Sequence, residues 1–178
     1  EIDGADFSKT EIVTIGAIDF FAAVSEYVDY TWIYYGWDGV ASEVKKFPIN
    51  FIFLQDYARE LDFYTPVIIT REQLLKEEPE LVHRFLRATE KGYLFTIDNP
   101  KIAIQDLLKH APEIDAEIAI ASQEYLAKEY QADAPYWGVM GAQRWEDYAR
   151  WLYERGLIPR MLNVEAAFDN SFLPGKEK

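Results

Sequence analysis

Apolar and polar residues alternate along the first seventy positions and then recur every three to four, which predicts strands and short helices first and helices afterwards. Glu11 to Ile15 alternates around Val13 and Ile15 and stops at Gly16. Asp19 then stands as an N-cap before Phe20, Phe21 and Val24, which share one face of a short helix. Val28 to Tyr35 is β-branched and aromatic, Gly36 ends it, and Trp37 and Asp38 open a helix that runs from Val40 to Phe47 and is broken at Pro48. Asn50 to Leu54 gives a third extended run, and Tyr64 to Thr70 a fourth, with Pro66 near its start where an edge or entry position tolerates the missing donor. Strands are thus predicted at 11–16, 29–35, 50–54 and 64–70, and their alternation with helices implies a parallel sheet with crossovers.

The period changes at Thr70-Arg-Glu-Gln73, whose spacing is that of a capping box and predicts a helix start. Pro79 opens a long helix in which Val82, Leu86, Tyr93 and Ile97 form one stripe, and Asn99-Pro100 reads as an N-cap with proline at the first helical position. Ile114, Ile118, Ala121 and Tyr125 mark another helix, and Trp145, Tyr148, Ala149 and Leu152 a further one that Gly156 closes. At least four helices are expected after residue 70. Polar Gln55 to Asp62 suits a connector between lobes, and Val164 to Phe168 and Phe172 are docking points for the tail.

A chain of 178 residues with 49% hydrophobic and 16% aromatic residues can bury one core or two small lobes. The net charge of −13 argues against nucleic acid or an anionic membrane surface as partner. With no cysteine, disulfides, thiolate metal sites and cysteine nucleophiles are excluded. No apolar run approaches the roughly 18 residues of a membrane span. The chain begins Glu-Ile-Asp, as a processed form or a fragment would, so any targeting segment would have been lost upstream.

The densest candidate site is Tyr30 to Gly39, Tyr-Thr-Trp-Ile-Tyr-Tyr-Gly-Trp-Asp-Gly. Tyr35 and Trp37 offer stacking faces to a flat ring and Asp38 a hydrogen-bond acceptor, with Asp19 after the preceding strand as a possible neighbour. The plainer alternative makes these aromatics core and Asp38 an N-cap. Trp137 and Tyr136 are either a packing plug or a further wall. His83 and His110 build no catalytic arrangement, no metal-ligand spacing can be read, and Gly36-Trp-Asp-Gly39 lacks the glycines and lysine of a phosphate loop. No catalytic residue, metal or cofactor is therefore expected.

Ile15-Gly-Ala-Ile-Asp-Phe-Phe-Ala-Ala23, Trp32-Ile-Tyr-Tyr-Gly-Trp-Asp-Gly39, Tyr64-Thr-Pro-Val-Ile-Ile-Thr70, Pro79 to Gly92 and Trp145 to Ile158 together resemble the later part of a thiamine-pyrimidine-precursor binding protein. That branch of solute-binding proteins of ABC importers also contains fungal pyrimidine synthases. The resemblance runs from about Glu11 to Pro159 and implies a type II periplasmic-binding-protein-like α/β fold, here an incomplete two-lobe clamshell with a helix-rich C-terminal half. Residues 1–58 would be a second-lobe α/β segment and 59–178 the hinge return with the helical part of the first lobe. The family's opening segment has no counterpart, so either a missing N-terminal segment or self-association completes the clamshell, or the returning helices pack on the second lobe in a way the family does not show. Other implied properties are a heterocyclic ligand held by Trp37, Asp38, Tyr35 and Asp19, a membrane permease as partner, and an extracytoplasmic, periplasmic or lipid-anchored location. A pyrimidine-biosynthesis enzyme is the alternative, demoted because those synthases, by resemblance, use a histidine and a cysteine-rich stretch for iron chemistry. A partial domain retained for protein contact is the third reading.

Overall fold

Helices build this structure wherever the sequence supplies a 3.6-residue apolar period and a stop signal, and extended backbone joins them. The computed structural model describes residues 4, 6–14, 16 and 18–177. Helix α1 (Phe20–Glu26) begins where Asp19 accepts from the backbone N–H groups of Phe21 and Ala22 at 3.0 and 3.2 Å. A single π-helical turn, Tyr35–Gly39, runs into α2 (Val40–Val44). Helix α2 stops before Pro48 because Lys46 adopts φ +53°, after which the Phe47 N–H reaches back to the Ser42 carbonyl at 2.8 Å. Short α3 (Leu54–Tyr57) and a 3₁₀ turn, Arg59–Leu61, occupy the predicted connector.

Next come α4 (Glu72–Glu77), α5 (Pro79–Asp98), α6 (Pro100–His110), α7 (Ala116–Glu129) and α8 (Ala142–Glu154), so five α-helices follow residue 70 among the described residues. Prolines stand at the start of α5 and α6, where a missing N–H costs nothing. Asp115 caps α7 by accepting from Glu117 and Ile118. Gly156, at φ +67°, ends α8: its N–H bonds the Tyr153 carbonyl and that of Leu157 the Leu152 carbonyl, each at 2.9 Å. The capping box at Thr70 does not form. Helix α4 is capped by Arg71 without a side-chain bond, and the Gln73 amide instead donates to Glu77 at 2.7 Å.

The predicted parallel sheet is absent among the described residues, where no strand ladder occurs at 11–16, 29–35, 50–54 or 64–70; Ile15 itself lies outside them. The backbone is nevertheless extended where two of these segments run into helices, with Tyr34 at φ −100°, ψ 112° and Phe53 at −81°, 114°. Alternating β-branched and aromatic residues dictate that conformation, but a strand also needs a neighbour to exchange hydrogen bonds with, and these segments find none here. The two-lobe α/β clamshell is thus not formed by the described residues.

The core lies between α5, α6 and α7, where Val82, Ile104, Ile118 and Ala119 are buried, and α2 packs on α7 with Val40 and Ala41. Trp137 is a plug: it is buried and stacks on Tyr93 of α5 at 4.8 Å. The tail docks as its apolar residues predict, with Val164 and Leu173 buried, Phe168 stacked on Trp145 and Phe172 against His83. A second aromatic cluster holds α8 to the chain ahead of α4. Phe63 stacks on Tyr148 at 4.4 Å, the Arg144 guanidinium lies over Tyr64, and Arg59–Asp147 and Arg144–Asp62 pairs flank it at 2.7 and 2.8 Å.

Candidate functional site

The turn Tyr35–Gly39 is fixed from both ends. The N–H groups of Trp37 and Asp38 both donate to the Tyr34 carbonyl at 3.0 Å, and the buried Ser122 hydroxyl of α7 donates to the Gly36 carbonyl. Glycine allows two close approaches. A Cβ on Gly39 would run into the held Tyr35 ring, and one on Gly36 would meet the Leu126 side chain of α7 at 2.5 Å. The turn therefore lies close against α7, where a larger residue at 36 would push the Leu126 side chain aside.

Tyr35 anchors rather than exposes itself. Its ring meets Phe51, Phe53 and Tyr125 with centroids 4.9, 5.2 and 5.0 Å away, and its hydroxyl donates to Glu43 at 2.5 Å. That bond to Glu43, followed by burial and the charge of Glu43, pushes the phenol up to about 12. Burial, then the charges of Glu129 and Glu43, also raises Tyr125.

Trp37 and Asp38 are held differently. The indole is 42% exposed and stacks on no ring among the described residues, and the Asp38 carboxylate makes no hydrogen bond or ion pair there. Asp38 is not an N-cap, because it sits inside the turn and α2 follows Gly39. The structure thus brings Tyr35, Trp37 and Asp38 onto one turn, with Tyr35 as support and the other two disengaged. Asp19 is not gathered with them. It caps α1, which meets the end of α2 through Phe21 on Phe47 and Lys45 over Phe21.

Sequence reasoning missed Glu43, Phe51, Phe53, Tyr125 and Ser122, the groups that immobilise the turn. Phe51 and Phe53 carried a usable signal, since an i, i+2 pair of aromatics in an extended run shares one face. Tyr125 and Ser122 lie more than eighty residues away and carried none. No group of acidic or histidine side chains suited to a metal ion occurs among the described residues.

A turn that immobilises its backbone while leaving an indole and a carboxylate without a ring or polar partner among the described residues offers a stacking face and a hydrogen-bond acceptor. Residues 1–103 match the family model described as NMT1/THI5 like, and the chain belongs to that family, whose fold is periplasmic-binding-protein-like. It is 29% identical over 118 residues to the riboflavin-binding protein RibY of Chloroflexus aurantiacus, covering 61% of this chain and 32% of that protein. It is 27% identical over 124 residues to the formylaminopyrimidine-binding protein of Halalkalibacterium halodurans, covering 64% of this chain and 37% of that one. The chain spans about a third of the length of these curated relatives. Both are named for binding, not for catalysis. Among the described residues no helix is long and apolar enough to cross a membrane.

Proposed function

We propose that this chain belongs to the solute-binding component of an ABC importer, acting outside the cytoplasm beside a membrane permease and holding a thiamine pyrimidine precursor or a similar flat heterocycle. The observation that carries the reading is that, among the described residues, the Trp37 indole is unstacked and the Asp38 carboxylate has no partner, on a turn immobilised by Tyr35 and Ser122. An aminopyrimidine presents a donor beside a ring nitrogen, so a carboxylate accepts from it while the indole covers the ring. The relatives' names, one for riboflavin and one for formylaminopyrimidine, support a flat, hydrogen-bonding ligand. In this reading residues 1–58 contribute to one lobe and 59–178 to the hinge return and the helical part of the other, with Asp19 near the cleft once the lobes are complete.

Calorimetric titration of the protein with formylaminopyrimidine and with riboflavin tests it. Asp38→Ala removes a charged hydrogen bond worth about 1.5–3 kcal/mol, so affinity should fall at least tenfold. Trp37→Ala should weaken binding comparably through lost apolar burial. Unchanged affinity in both variants, with native circular dichroism, refutes the site; no binding of either compound by the wild type refutes the ligand class.

A further inference from the structure

Two glycines stand within the five residues of the Tyr35–Gly39 turn, and each widens the range of backbone conformations open to Trp37 and Asp38 between them. Isolated π-helical turns are rare and occur often at functional sites. What holds this one is a pair of hydroxyls. Ser122 of α7 donates to the Gly36 carbonyl, and Ser42 of α2 donates to the Gly39 carbonyl at 2.6 Å. We propose that Ser42 and Ser122 are positioning residues of the ligand site: by fixing the carbonyls of both glycines, they set the direction in which the Trp37 indole and the Asp38 carboxylate are presented to a flat heterocycle. This role rests on the ligand reading above and adds to it two buried residues that need not touch the ligand.

Burial points the same way. Ser42 and Ser122 are 1 and 4% exposed, and among the described residues Glu90 is the only other polar residue buried. Taking a hydroxyl out of water costs free energy unless a bond replaces the one to water, and both hydroxyls find that replacement on this one turn. Serine inside a helix is less favourable than alanine, and a bond back to a carbonyl three residues earlier, as Ser42 makes, does not strengthen the helix. Helix stability alone would therefore favour alanine at both positions.

The seat on α7 is built around the second serine. Ser122, Tyr125 and Leu126 are spaced i, i+3 and i+4, so they share one face of that helix. Along that face the hydroxyl takes the Gly36 carbonyl, the Tyr125 ring meets Tyr35 at 5.0 Å, and Leu126 fills the space beside Gly36. The turn is thereby tied to α7 on one side and to α2 on the other, with Trp37 and Asp38 between the two fixed carbonyls.

Amide hydrogen exchange in the ligand-free chain gives the first readout. The N–H groups of Trp37 and Asp38 should exchange about fivefold to tenfold faster in Ser122→Ala and in Ser42→Ala, because each loses one bond that holds the turn. Ile104→Val, which trims the buried core on α6, should lower the melting temperature without that local change. Calorimetric titration with formylaminopyrimidine and with riboflavin gives the second readout. Whichever compound the wild type binds should bind each alanine variant about fivefold to tenfold more weakly. Combining Ser122→Ala with Asp38→Ala should cost less than the product of the separate losses, because the serine acts through the carboxylate. Unchanged exchange at Trp37 and Asp38 in both alanine variants, undiminished affinity in both, or losses that multiply in full in the double variant each overturns the proposal. Absence of binding by the wild type refutes the ligand class alone, and the hold of the two serines on the turn then stands or falls on the exchange.

Discussion

Tyr35 shows at the scale of one residue how an aromatic group picked out for stacking becomes structural. Its hydroxyl is committed to Glu43 and its ring to three neighbours, so the free stacking face is that of Trp37. The bond to Glu43 also sets a pH response. The folded state holds the phenol proton up to about 12 against an ordinary value of 10.0, so it binds more protons than the unfolded chain between those values. The stabilisation is fully present below about pH 10 and is lost as pH rises toward 12. Glu43→Gln should bring the Tyr35 titration back toward the ordinary range, and ultraviolet difference titration against Tyr35→Phe as blank would detect it. A Tyr35 titration unchanged in Glu43→Gln would assign the shift to burial instead. Nothing in the local sequence announces Glu43 as partner, because eight residues separate the two and a π-helical turn changes the face on which each emerges.

Helix ends were the most legible elements, because a cap is written in adjacent residues. Asp19, Pro79, Pro100 and Gly156 all sit where the sequence places them. Thr70 misled because hydroxyl and amide spacing fixes only the possibility of a capping box, while the helix starts two residues later and Gln73 finds Glu77. The paired ends of α2 and α8 support a quantitative expectation. Both close with the same hydrogen-bond pattern around a left-handed residue, Gly156 at φ +67° in one and Lys46 at φ +53° in the other. A side chain in that conformation costs about 1 kcal/mol, so Lys46→Gly should stabilise the chain by up to that amount and Gly156→Ala should destabilise it similarly. Urea melts of the two variants would read the opposite signs. Two changes of the same sign would mean that the side chains, not the backbone, govern these ends.

For the molecule as a whole, what the sequence conveyed was conformation, and what it withheld was partnership. Residues 28–34 and 64–70 form neither helix nor ladder, Tyr34 is extended at φ −100°, ψ 112°, and Tyr30, Trp32 and Tyr34 are 69, 61 and 61% exposed and Ile69 is 86% exposed. Three aromatics at i, i+2 and i+4 share one face of an extended segment, and its backbone groups lie largely without ladder partners. Such an edge is a template for another strand, while the charge of −13 opposes the approach of a second copy. Salt within a Debye length of about 10 Å at 0.1 M weakens that repulsion and leaves the apolar attraction, so association should grow with ionic strength as well as with concentration. Sedimentation velocity should show the chain shifting from monomer to larger species as salt is raised, and Trp32→Lys, which puts a charge on the aromatic face, should reduce the shift. Hydrogen exchange supplies the matching local readout. Amides of 29–33 and 67–69 should exchange fast in the monomer, since none of them donates to another backbone group, and slow on association. A monomer that persists at high salt and high concentration while those amides are already protected would show that the segments are paired within the chain, and would restore the sheet that their alternation predicts.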